Sequence, residues 1–149
     1  MYRWSTPKLL FSQSRKNPSP ITRDNDERYA ITVAVRPEYA EAHSDPSQNN
    51  FVFIYHISIR NKGTIPAQLI SRHWLITDAN GQVQEVEGEG VIGEQPVISP
   101  GGEHRYNSFC VLETPVGCME GSYQMVAEDG TAFEASIPAF TLAVPGTLH

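Results

Sequence analysis

No apolar run in this chain approaches the ~20 residues that span a bilayer, and Leu9-Leu10-Phe11 is too brief for the core of a secretory signal. A helical transporter is thereby excluded, no membrane is predicted as a partner, and a cytoplasmic location is expected. Cysteine is scarce: Cys110 and Cys118 make one pair at most, which is no disulfide framework. Both are read as free, buried small hydrophobes. Basic residues are scarce after position 23, where six stand against seventeen acids and leave a net charge of −11. Binding a nucleic-acid backbone rests on Lys and Arg displacing condensed counterions, so no nucleic acid is predicted as a partner.

The metal and catalytic signatures are missing as well. The five histidines (His43, His56, His73, His104, His149) show no metal-ligand spacing with one another or with the cysteines. No serine stands in a nucleophile-elbow pattern. No metal, cofactor or catalytic residue is therefore predicted, and the chain is read as a non-enzyme. A sustained helical period is absent too, and the eleven prolines and eleven glycines fall mainly between strand candidates.

What is present is strand and turn. Residues 1–28 begin with five basic residues and no acid up to position 23, and are read as a basic, flexible extension. Residues 29–149 are read as one domain. It opens at Tyr29–Val35, a β-branched run, and continues at Phe51–Arg60, where Phe51, Phe53, Tyr55, Ile57 and Ile59 alternate with a mixed face. Ala67–Thr77 follows, and the Asn80-Gly81 pair signals a tight hairpin returning at Gln82–Glu87. Further strands are expected at Pro96–Ile98, Glu103–Leu112, Ser122–Ala127, Ala132–Ile137 and Phe140–Val144, with Thr114-Pro115-Val116-Gly117 and Pro138 as breaks. About eight strands at this spacing predict an all-β, antiparallel sandwich.

Three phrases narrow the reading: Gln68-Leu69-Ile70-Ser71-Arg72-His73-Trp74, Gly88-Glu89-Gly90-Val91-Ile92-Gly93-Glu94-Gln95-Pro96, and Thr114 to Met125 as Thr-Pro-Val-Gly-Cys-Met-Glu-Gly-Ser-Tyr-Gln-Met. In this order they resemble the ApaG family, over about residue 29 to the C-terminal end. The resemblance implies an immunoglobulin or fibronectin-III-like β-sandwich. It also implies a link to cobalt resistance and magnesium efflux, gene neighbours that act on dinucleoside polyphosphates, and a role as an interaction module in related eukaryotic domains. It brings no catalytic residue.

Residues 88–93 also carry the Gly-x-Gly-x-x-Gly spacing of a dinucleotide-binding loop. That chemistry needs a helix N-terminus aimed at pyrophosphate, whereas Pro96 and Pro100-Gly101-Gly102 deny the loop a following helix. Glu85, Glu87, Glu89 and Glu94 crowd it, and each carboxylate near a phosphate costs about 1 kcal/mol at 4 Å even in water. A glycine-kinked bulge or tight turn between strands is the simpler reading, and a nucleotide- or pyrophosphate-binding protein or enzyme the alternative. Arg72 is expected beside a core Trp74, paired with a glutamate or free for recognition, and His73 on the opposite face as a hydrogen-bonded structural residue. Arg72, His73, Gly88, Gly90 and Gly93 are the candidate ligand- or partner-binding residues. The partner, a protein or a small ligand, is not identified, and homo-oligomers remain open. The Glu85, Glu87 and Glu89 row is read as a solvated acidic face.

Overall fold

The computed structural model describes residues 26–147. The expectation of a flexible extension falls largely on residues 1–25, outside that range. Eight strands form two antiparallel sheets. One has the order β1 (Ile31–Tyr39), β2 (Phe51–Asn61), β6 (Glu103–Leu112). The other has the order β4 (Val83–Glu89), β3 (Ala67–Asp78), β7 (Val116–Ala127), β8 (Ala132–Ala143), with the short β5 (Val97–Ile98) pairing the start of β3. This is the expected β-sandwich, and the alternation read in β2 is the reason for it. Phe51, Phe53, Tyr55, Ile57 and Ile59 are all buried against Leu69, Trp74, Met119, Tyr123 and Leu142 of the facing sheet.

Several boundaries differ from the sequence reading. Tyr29 closes a 3-10 turn (Glu27–Tyr29) instead of opening a strand, because its hydroxyl donates to Asp129 Oδ2 at 2.6 Å and its ring packs on Phe133. Pro138 does not break β8. That strand is an edge, and the register against β7 slips between Met119 and Gly121, a bulge that accommodates a residue without an N–H. β7 begins at Val116 rather than Ser122, since Val116 and Gly117 already pair Ala143 and Leu142. At the β3–β4 hairpin only Gly81 takes positive φ, at 82°. The loop is wider than a two-residue turn, closed by Asp78 N donating to Gln82 O at 3.0 Å. Both cysteines are free, but Cys118 is only half-buried because strand alternation turns it to the outer face of β7 while its neighbour Met119 enters the core.

Candidate functional site

A second irregularity places the glycine loop. The register of β3 against β7 shifts between Leu69 and Ser71. The carbonyl of Ile70, at that bulge, accepts from Gly90 N and from Gln95 Nε2, each at 2.8 Å. Leu69 N donates to Pro96 O at 3.0 Å, so both ends of the 90–96 segment are tied to β3. Within it, Val91 N donates to Glu94 O and Glu94 N to Val91 O, and Val91 is buried at 1% exposure. The amides of Gly90, Val91 and Glu94 are thus already engaged, which leaves little of the N–H array that a phosphate nest requires. The loop is the tight turn expected, and no helix follows it.

Backbone strain concentrates here. Gly90 has φ 60°, Gly93 φ 75°, and between them Ile92 has φ 47°. A β-branched residue in the left-handed region is a steric outlier, and Ile92 is also 63% exposed, so burial does not explain its presence.

Arg72 lies beside this loop. It shares the inner face of β3 with Trp74, which is 2% exposed and packed edge-on against Tyr55 and Phe140. The expected glutamate partner is absent: among the described residues no carboxylate lies within ion-pair distance of Arg72. Its Nη1 instead donates to the backbone carbonyls of Glu89 at 3.1 Å and Gly90 at 2.8 Å. The pleat explains the difference. Glu85, Glu87 and Glu89 pair with Leu75, His73 and Ser71, so they project from the outer face while Arg72 projects from the inner one.

Between β6 and the loop lies a cleft of about 380 Å³, walled by Tyr55, Trp74 and Tyr106, with Arg72, Ile92 and Gly93 at its rim. Burial raises the Tyr55 and Tyr106 hydroxyls above the ordinary phenol range, so both stay neutral donors at physiological pH. Tyr106 Oη meets Tyr123 Oη at 2.5 Å. Such a space, largely apolar with one cation at its edge, suits an aromatic or aliphatic group carrying an acid nearby.

His73 stands on the opposite face, as expected, and does not line the cleft. Its Nε2 lies 2.8 Å from Glu85 Oε1 and 3.7 Å from Glu87 Oε1. Together these three offer ligand atoms within 4.8 Å of one another. Sequence spacing did not reveal this set, because it is assembled by cross-strand register twelve and fourteen residues apart. The two glutamates are 60% and 73% exposed, so water competes for them and the set suits at most a weakly held, mostly hydrated cation. Gly88 lies under Arg72, Gly90 and Gly93 in the loop. The structure therefore gathers Arg72 with the three glycines and separates His73 from them. The aromatic walls were missed as a site because each of those residues reads in sequence as ordinary core.

Among the described residues no serine, threonine or cysteine is hydrogen-bonded to a histidine, and Ser47, which donates to Asp45 Oδ1 at 2.6 Å, lies in an exposed 3-10 turn. Over the described residues the geometry defines an all-β sandwich domain with an open aromatic cleft and no assembled catalytic constellation. Comparison with known proteins supplies the family. The ApaG domain model matches residues 41–127. The chain is 59% identical over 125 residues to Protein ApaG of Azotobacter vinelandii, covering 84% of this chain and 99% of that one. It is 59% identical over 123 residues to Protein ApaG of Aromatoleum aromaticum, covering 83% and 97%. A crystal structure named for the ApaA protein of Bordetella pertussis superposes with a TM-score of 0.79 at 50% identity, covering 81% of this chain and 98% of that one. The chain belongs to the ApaG family.

Proposed function

We propose that this ApaG-family domain is a non-enzymatic binding module that works in the cytoplasm and docks a partner at the cleft between β6 and the Gly90–Gly93 turn. Any bearing on Co²⁺ and Mg²⁺ homeostasis is then indirect, exerted through that partner. The observation that carries the reading is Ile92: an exposed β-branched residue held at positive φ over an aromatic cleft. Glycine would relieve the strain, so the side chain is kept for what it touches outside the chain. Arg72 at the same rim adds a cation anchored by two carbonyls, a fixed charge for an acidic group.

The nucleotide alternative is weaker because the Gly90, Val91 and Glu94 amides are occupied within the chain and glutamates flank the loop. NMR shift mapping with diadenosine tetraphosphate, pyrophosphate, Mg²⁺ and Co²⁺ in turn tests the choice. Silence of the Gly88–Gly93 amides toward both phosphates is expected, with only weak, millimolar Co²⁺ broadening at His73. Saturable micromolar shifts in the loop with either phosphate would replace the module by a nucleotide-binding protein.

A further inference from the structure

Besides the two-residue β5, the two sheets end in four edge strands among the described residues, and three of them carry devices that discourage further pairing. β1 holds Pro37, β8 holds Pro138 and a bulge, and β4 presents the row Glu85, Glu87, Glu89. β6 has no proline, no bulge and no row of like charge, its Glu103 and Arg105 being opposite in sign and paired. It runs ten residues in unbroken register with β2, and its other edge pairs with no strand among the described residues. Its outward side chains include Phe109 at 66% and Val111 at 42% exposure. An edge this long and regular, with its charges at one end and Phe109 and Val111 exposed at the other, is open to strand addition.

The surroundings of that edge are basic in a body that is otherwise strongly acidic. Across the outer face of the β1-β2-β6 sheet, register brings Arg36, Arg60 and Arg105 around Ser58, Ala34 and Asn107, lining a depression of about 590 Å³. With Arg72 in the cleft on the inner side, four of the six basic residues that follow position 23 lie on β6, on the two strands of its sheet or at the cleft beside it. Glu103 neutralises part of this set, bonded to Arg60 at 2.6 Å and to Arg105. Arg36 has no ion-pair partner among the described residues.

We infer that β6 is a strand-addition edge that binds an extended segment of a partner protein in which acidic and apolar side chains are combined. The inference rests on the binding-module reading above and specifies its mode. The added strand would lie along β6. Its inward side chains would enter the cleft against Tyr55, Trp74 and Ile92, and its outward ones would meet Arg105 and the exposed Phe109 and Val111. Main-chain hydrogen bonds supply affinity, and the alternate side chains supply specificity. A second copy of this chain is a poorer occupant, since pairing β6 across a two-fold axis sets the same arginine group against itself.

The test uses the full chain, isotope-labelled, with two eight-residue probes: one alternating glutamate and valine, the other alternating lysine and valine. The glutamate peptide is expected to shift β6 amides and slow their hydrogen exchange, with smaller shifts at residues 91–93. The lysine peptide is expected to bind at least tenfold more weakly. Arg105→Glu and Phe109→Glu, both at exposed positions that leave the fold intact, should each weaken the glutamate peptide about tenfold or more. Shifts confined to Tyr55, Arg72 and residues 91–93, without protection of β6, would overturn strand addition while leaving the cleft as a binding site. Equal binding of both peptides, no binding of either, or a dimer by sedimentation whose interface protects β6 in the free protein would also overturn the inference.

Discussion

The guanidinium of Arg72 fills the space that a side chain at Gly88, its partner across the β3–β4 ladder, would need. A Cβ at Gly88 would lie 2.8 Å from both Nη1 and Nη2. Glycine at this position is what lets the arginine cross strand β4 and reach the carbonyls of Glu89 and Gly90. Gly88→Ala is therefore expected to displace Arg72 and loosen the turn. The loss of hydrogen bonds from a charged, half-buried donor puts the cost at about 1.5 kcal/mol in urea unfolding. In an Arg72→Leu background the same substitution should cost much less. Full additivity of the two changes would show that they do not act on one contact.

Gly90→Ala is expected to be the more damaging change. Its φ is 60°, and a Cβ there would stand 2.1 Å from the Glu94 carbonyl, a backbone atom with no freedom to move aside. Strain and clash together should cost about 3 kcal/mol or more. Ile92→Gly should act in the other direction, because it removes a left-handed β-branched residue whose side chain is exposed, and should raise stability by about 1 kcal/mol. Thermal unfolding of the two variants checks both signs. A neutral Gly90→Ala would mean the turn is free to rearrange.

The parts of this architecture legible in the sequence are those fixed by local pattern. Alternation from Phe51 to Ile59 identified the core face of β2, and Pro96 with Pro100 ruled out a helix after the glycines. What was not legible depends on register. His73 meets Glu85 and Glu87 only because β3 and β4 pair as they do, and Arg72 avoids the glutamates because the pleat turns them to the other face. The cleft itself arises from the spacing of two sheets. Tyr55, Trp74 and Tyr106 come from three strands, and nothing in their individual sequence context separates a wall of an open cleft from packed core.

The two thiols should differ sharply in reactivity. Burial pushes the Cys110 thiol up to about 12, and its Sγ packs 3.8 Å from the Met119 sulfur. Cys118 is half-buried. Only the thiolate reacts with iodoacetamide, so at pH 8 the folded chain is expected to take one equivalent, at Cys118, and the unfolded chain two. Peptide mapping identifies the site. Prompt labelling of Cys110 in the native protein would show that the sheets separate near β6 more readily than the packing indicates.

Acid stability should depend on the junction where the chain enters the sandwich. At Asp129, partial desolvation pushes the carboxyl upward. The hydrogen bond from Tyr29, at 2.6 Å, and those from Thr131, whose backbone N donates at 3.0 Å, outweigh it, so the folded pKa lies below the usual aspartate value. A carboxylate depressed in the folded state contributes stability that is fully present above its unfolded pKa of about 4 and is lost as pH falls through the folded value. In Tyr29→Phe the desolvation remains while the leading hydrogen bond is gone, so the Asp129 pKa should rise and the acid-induced loss of stability should shrink. The Tyr29 ring keeps its contact with Phe133, which separates loss of the hydroxyl from loss of packing. Titration of the Asp129 side-chain carboxyl by NMR, together with melting temperatures between pH 2 and 6, gives the comparison. A titration midpoint in Tyr29→Phe at or below that of the parent chain would show that Thr131, and not Tyr29, holds the charge.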